Sequence, residues 1–299
     1  MTSEPQHTLL SASDIRHLAD AIGLRPTKTL GQNYVIDPNT IRRIVATANL
    51  QTTEHVLEIG PGLGSLTLGI LDAAQAVTAI EIDPPVAAQL ATTVETWRSN
   101  SADRLSVLEA DALSIDGTEI AAAKPVIAEK PPTAIVANLP YNVAVPVLLH
   151  ILAELPSIEH GLVMVQYEVA ERLVAKPGSK IYGVPSVKMA WYGQATLAGT
   201  VGTKVFWPAP RIRSGLVYFT AHQSPPTTAS RQQVFEVIDV AFAQRRKTLR
   251  AALGNWAGSP AEAEHILTAA NVDPKARGEV LDITDFARIA EQKQRRDAM

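Results

Sequence analysis

HVLEIGPGLGSLT, residues 55–67, runs from an apolar stretch through glycines at 60, 62 and 64 into a helix-forming segment. A continuous apolar run that ends in glycine is the pattern of a parallel strand buried on both faces. The G-x-G-x-G turn lets backbone approach a ligand closely. A dinucleotide fingerprint would want a third glycine at 65, where this chain has Ser65, and the lysine of a phosphate-cradling loop is missing. The alternative to a ligand-binding turn is a bend that serves packing only.

Working outward, similar runs recur at AVTAIEID (76–83), RLSVLEAD (104–111) and TAIVANL (133–139), with helical segments between them. Further strands are expected at GLVMVQYE (161–168), near 190–201 and at SGLVYFTA (214–221). The alternation predicts an α/β, Rossmann-like domain with a mostly parallel seven-stranded sheet. Helices are predicted around 12–22 and 38–49, the second capped by Asp37 with Pro38 in its first turn. Residues 1–10 are expected to fray. HQSPPTTAS (222–230) reads as a linker. VFEVIDVAFAQRRKTLRAAL, AEAEHILTAA and DFARIAEQKQ after it are helical. The expected division is an α/β domain over 1–222 and a small all-α domain over 223–299.

Composition narrows the chemistry. The 299 residues are 46% hydrophobic and 19% charged, which suits a globular chain, and they include no cysteine. Disulfides, thiolate catalysis and Cys-ligated zinc are therefore excluded. The histidines show no metal-ligand spacing, so no metal is expected. The start, MTSEPQHTLLSASD, is acidic and polar where a signal peptide would be basic and then apolar. No run of about 18 apolar residues predicts a membrane span, so a cytoplasmic protein is expected. The net charge of −3 conceals an imbalance: −7 over residues 1–203 and +4 over 204–299. A polyanion would meet the C-terminal part.

Two acids follow the glycines at strand ends. Glu81 closes the second run, where a carboxylate can accept both hydroxyl hydrogens of a ribose. Asp111 closes the third and could bond an adenine amino group. Either could simply cap a loop, but the ordered set describes a nucleoside crevice. A ligand with adenosine and no pyrophosphate fits it: S-adenosylmethionine.

The fourth run ends in NLPY, Asn138 to Tyr141. The lone pair of an exocyclic adenine amine is delocalised into the ring. The Asn138 side-chain oxygen and the Leu139 carbonyl could accept its two hydrogens, drawing the nitrogen towards tetrahedral geometry. Pro140 keeps Leu139 extended, and Tyr141 could stack on an extruded base. Orientation and polarisation then replace a strong general base. The alternative is a strand-ending turn with Tyr141 packed in the core.

From about residue 25 to 290, the chain resembles the ribosomal RNA adenine dimethyltransferase family, in particular its small-subunit branch. The matching stretches are TKTLGQNYVID (27–37), VLEIGPGLGSLT, NLPYNVAVPVL, QYEVAERLVAKPGSKIYGVPSV (166–187), FWPAPRIRSGLV (206–217) and AFAQRRKTLRAALGN (241–255). The resemblance implies that Asn33, Val35, Gly60, Glu81, Asp111 and Asn138 contact the methyl donor. It implies that Asn138, Leu139, Pro140 and Tyr141 form the catalytic tetrapeptide, with Phe206 sandwiching the target base against Tyr141. The implied reaction dimethylates two adjacent adenines in a 3′-terminal hairpin loop of 16S ribosomal RNA in the assembling small ribosomal subunit. A monomer is expected. The chain departs from the family pattern at Tyr34 and Val35, usually Phe and Leu. Tyr167 replaces a common lysine, Pro185 a usual leucine, and Arg213 stands where an acid is frequent.

Arg211 and Arg213 flank the expected base pocket and are candidate RNA contacts. Arg245, Arg246, Lys247 and Arg250, expected on one helix, could hold phosphates or form interdomain salt bridges. Two neighbouring readings remain: a large-subunit rRNA adenine methyltransferase of the macrolide-resistance type, and a non-catalytic ribosome assembly or RNA-binding factor. The glycine spacing disfavours a third, an NAD-dependent oxidoreductase.

Overall fold

Val56, Leu57 and Ile59, like the apolar runs that follow, offer water no polar face, so they are stable only when covered on both sides. The computed structural model, which describes residues 8–26 and 31–298, buries every residue of the two runs 55–59 and 76–81. His7 and the TKTL part of the 27–37 match lie outside the described residues.

The strands in chain order are β1 (Tyr34–Val35), β2 (His55–Ile59), β3 (Ala76–Glu81), β4 (Leu105–Glu109), β5 (Ala134–Asn138), β6 (His160–Gln166), β7 (Gly193–Val201), β8 (Phe206–Trp207) and β9 (Ser214–Ala221). Seven form one sheet in the order β4-β3-β2-β5-β6-β9-β7. The pairs β3–β4, β2–β3, β2–β5 and β5–β6 are parallel, whereas β9 runs antiparallel to β6. The order reverses between β2 and β5, and such a switch point opens a crevice at the carboxyl ends of the strands. β1 and β8 form a separate antiparallel pair, Tyr34 opposite Trp207 and Val35 opposite Phe206. The expected seven strands are present.

Helix Pro38–Ala48 starts as expected: the Asp37 side chain accepts the Thr40 N–H and Pro38 stands in the first turn. The expected fraying of residues 1–10 fails at its end. Leu9 and Leu10 are buried in the core of the α/β unit, and Arg98 donates to the Thr8 carbonyl oxygen at 3.1 Å.

The chain divides into two units, residues 1–170 with 196–221, and residues 171–195 with 222–299. A single boundary at 222 was expected, so residues 171–195 belong elsewhere. The reason is packing. Tyr182, Val187 and Trp191 share a core with Val234, Ile238, Leu267 and Phe286. The Tyr182 hydroxyl donates to the Leu281 carbonyl oxygen at 2.8 Å, and the Trp191 ring meets Phe235 edge-on at 6.1 Å.

A second correction concerns the stretch 234–253, whose pattern suggested one helix. The structure breaks it into Arg231–Ala243 and Leu249–Ala252. Arg245, Arg246 and Lys247 lie in the turn between them, and only Arg250 is helical. Gln244 and Thr248 leave the helical region of backbone space, with ψ of 56° and 154°.

Candidate functional site

The carboxyl ends of β2, β3 and β5, with the loop after β4, surround a cavity of about 240 Å³. Asn33, Val35, Gly60, Glu81, Asp111 and Asn138 all line it, so the six residues marked as donor contacts meet in space. Gly60, Gly62 and Gly64 each have positive φ, at 65°, 58° and 97°. At Gly62 the need for glycine is double, since a Cβ there would stand 2.6 Å from the Tyr34 ring.

Glu81 is buried and held from behind. The Gly62 N–H donates to its Oε2 and the Asp83 N–H to its Oε1, both at 3.1 Å. Each carboxylate oxygen keeps acceptor capacity for a ribose hydroxyl. Burial raises its pKa above the ordinary carboxylate value, against the pull of the backbone donors. Asp111 is exposed, and the Leu113 N–H donates to its Oδ1 at 2.9 Å. It therefore caps its loop while lining the cavity.

Asn138 is the last residue of β5. Its Nδ2 donates to the Asn33 carbonyl oxygen at 3.0 Å, which commits the amide nitrogen and leaves Oδ1 as the acceptor. The Asn33 Nδ2 in turn donates to the Gly31 carbonyl oxygen at 3.1 Å. Gln32 Nε2 reaches Asp83 Oδ2 at 2.9 Å, so residues 31–33 are tied to two strand ends. Leu139 is buried, its N–H bonded to the Met164 carbonyl oxygen at 3.0 Å. Pro140 lines the cavity. The half-buried Tyr141 places its hydroxyl 2.8 Å from Ser214 Oγ at the start of β9. Burial raises the Tyr141 pKa, partly offset by that bond.

Glu58 was missed. It lines the same cavity, is fully buried, and accepts the Thr67 hydroxyl on Oε2 at 2.6 Å. Burial pushes its pKa up to about 8, with the Glu81 charge adding to the rise. The available signal was a lone acid inside an otherwise apolar strand.

Phe206 does not stand where the sandwich expectation put it. It is 3% exposed within the core and does not line the cavity. In the two-residue β8 its side chain takes the covered face opposite Val35, while Trp207 stays partly exposed. Period-two alternation decides which of the two rings is buried.

Among the RNA candidates, Arg211 and Arg213 are exposed. Arg213 lies over the Tyr167 ring, with Cζ 3.8 Å from the centroid, so two of the departures from the family pattern meet as one pair. Arg245 bonds Glu279 at 2.9 Å and the Lys180 carbonyl oxygen at 2.6 Å; Arg250 bonds Glu264 at 2.7 Å. All these acceptors belong to the helical unit itself, so these are not interdomain bridges. Arg246 and Lys247 are exposed and have no ion pair among the described residues. No helix among the described residues is long and apolar enough to cross a membrane.

The sequence pattern of the family described as "Ribosomal RNA adenine dimethylase" matches residues 24–294. The chain belongs to the ribosomal RNA adenine dimethylase family. It is 64% identical over 290 residues to a protein of Arthrobacter sp. named ribosomal RNA small subunit methyltransferase A, covering 97% of this chain and 95% of that one. A Streptomyces coelicolor protein of the same name is 55% identical, with 98% and 100% covered. The fold is similar to a dimethyladenosine transferase from Plasmodium falciparum, with a TM-score of 0.67 and 21% identity over 85% of this chain and 94% of that one. It is also similar to the 23S rRNA methyltransferase ErmE, with a TM-score of 0.61 and 23% identity over 87% and 99%. The cavity combines a glycine-lined wall, the buried Glu81 carboxylate and the Asn138 amide, whose Oδ1 is left as an acceptor.

Proposed function

We propose that this chain transfers methyl groups from S-adenosylmethionine to the exocyclic amines of two adjacent adenines. The substrate is a 3′-terminal hairpin loop of 16S ribosomal RNA, modified while the small ribosomal subunit assembles. The observation that carries this reading is the oriented Asn138 amide at the edge of a nucleoside-sized cavity. The acting unit in this reading is a monomer. A ribosomal substrate goes with a cytoplasmic setting.

When bound, S-adenosylmethionine supplies an electrophilic methyl group on a sulfonium. Glu81 accepts the ribose hydroxyls on the lone pairs its backbone donors leave free, and Gly60 allows close approach of the main chain. Asp111 accepts from the adenine of the donor. Asn33 and the Val35 backbone close the cavity from the N-terminal side. At the target base, Asn138 Oδ1 and the Leu139 carbonyl oxygen accept the two amine hydrogens, so the nitrogen lone pair turns out of the ring plane. Tyr141 stacks on the extruded base and holds it in line. These groups are in place before reaction, which makes polarisation effective without a strong base. Arg211, Arg213, Arg246 and Lys247 are the cations free to meet RNA phosphates and bases.

The test is mass spectrometry of ribosomal RNA nucleosides after incubating the protein with labelled donor and small subunits from a strain lacking this modification. Labelled dimethyladenosine in 16S RNA is expected. Label in 23S RNA, or none with intact subunit binding, would overturn the reading in favour of the large-subunit enzyme or a binding factor.

A further inference from the structure

Arg213 is exposed, yet its guanidinium stands over an aromatic face, Cζ 3.8 Å from the Tyr167 centroid. Among the described residues no carboxylate pairs with it. Backbone fixes the pair: the Tyr167 N–H donates to the Arg213 carbonyl oxygen at 3.0 Å, and Gln166 stands opposite Ser214 in the β6–β9 register. Gly215 completes the seat. A Cβ there would stand 2.5 Å from the Ala170 Cβ, so only glycine lets the helix that starts at Tyr167 pack this close to β9, with the Tyr167 ring in ordinary contact at 3.6 Å. Strand, ring and guanidinium form three layers, and the outermost faces solvent.

The position of this stack gives it a meaning. Ser214, the next residue, holds the Tyr141 hydroxyl at 2.8 Å. The stack is thus one residue, about 3.8 Å along the chain, from the anchor of the base-stacking tyrosine. Ile212, 48% exposed, and the exposed Arg211 precede it in the chain.

We propose that the Arg213–Tyr167 stack is a second stacking station, which receives the unpaired ribosomal RNA nucleotide next to the target adenine. This rests on the methyltransferase reading above. Unpaired RNA bases stack on aromatic rings and guanidinium planes. A guanidinium already held over a ring loses little freedom when a base covers its other side. A phosphate contact would need only the charge; a stacking station needs the plane.

That difference sets the experiment. Binding of full-length Arg213→Lys, Tyr167→Leu and Tyr167→Phe to undermethylated small subunits is measured across a salt series, with donor affinity and melting temperature as folding controls. Arg213→Lys keeps the charge and loses the plane, and should weaken binding about 5- to 20-fold at every salt concentration, the lower range for one stacked base. Its salt slope should equal that of the wild type. Tyr167→Leu should weaken binding similarly, Tyr167→Phe should not, and the Arg213→Lys, Tyr167→Leu double variant should be little worse than either single one. A fluorescent purine next to the target adenine in a hairpin RNA should be quenched by wild type and much less by Arg213→Lys. Wild-type binding and quenching by Arg213→Lys would overturn the proposal. Loss of methyl transfer in the wild type with normal binding would instead fail the enzyme reading and leave this binding comparison intact.

Discussion

The Asn138 side chain donates its Nδ2 hydrogen to the main-chain oxygen of Asn33, 3.0 Å away and 105 residues earlier. The bond joins the strand end that carries the tetrapeptide to the segment that closes the cavity. It also settles the direction of the amide, because a flipped Asn138 would set two oxygens against each other. One contact therefore fixes where the Asn138 Oδ1 points and links it to the Gly31–Asn33 lining of the cavity.

Asn138→Ala should fold and bind subunits, yet transfer methyl groups at least ~100-fold more slowly, the scale for losing one preorganised polar contact. Single-turnover transfer to undermethylated subunits measures it, with binding followed in parallel. Near-normal rates would remove Asn138 from the chemistry.

Glu81→Ala should weaken S-adenosylmethionine binding by roughly 1–3 kcal/mol, the range for charge-assisted hydrogen bonds. The Gly62 and Asp83 N–H groups lose their acceptor as well. Calorimetry with the folded variant is the check, and unchanged affinity would exclude Glu81 from the donor site.

Glu58 should make stability fall with pH. Its folded pKa of about 8 lies above the ordinary value of 4.5, so the native state binds more protons than the unfolded state between these values. The stability linked to this proton is present below the lower value and is lost as pH rises through the upper one. Glu58→Gln, which can still accept the Thr67 hydroxyl, should flatten the unfolding free energy across that window. Denaturant titrations at pH 5, 6, 7 and 8 would show it; parallel curves for both proteins would refute it.

Tyr34→Phe should stabilise the protein or leave it unchanged. The Tyr34 hydroxyl is buried without a hydrogen-bond partner among the described residues. An unsatisfied buried polar group costs about 1–3 kcal/mol, and the ring packing against Gly62 is retained. A lower denaturation midpoint in the variant would reveal an unseen partner for the hydroxyl.

Charge reversal at Arg246 and Lys247 should flatten the salt dependence of subunit binding by about one unit of slope per lost phosphate contact. Reversal at Arg245 and Arg250 should act mainly on stability, because both are already paired. Donor affinity should not change in either variant. Equal salt slopes for wild type and the Arg246, Lys247 variant would place RNA elsewhere.

The sequence by itself determined the strands and much of the donor site. Runs such as HVLEI and AVTAIE are mostly apolar and bounded by turn residues, so their conformation follows from local composition. Glu81 closes β3 and Asp111 lies in the loop just after β4, which the parallel sheet brings to one edge. Tertiary packing decided the rest. Residues 171–195 joined the helical core because Tyr182 and Trp191 found partners some 50 to 100 residues away. Phe206, a candidate base-stacker by motif, was turned inward by pairing with β1. Arg245 and Arg250 look like Arg246 in sequence, and only their contacts with Glu279 and Glu264 set them apart. The direction of the Asn138 amide and the stack of Arg213 on Tyr167 belong to the same class. Periodicity and composition report on neighbours along the chain, whereas a hydrogen bond or a ring contact depends on which distant residue the fold brings within a few ångströms.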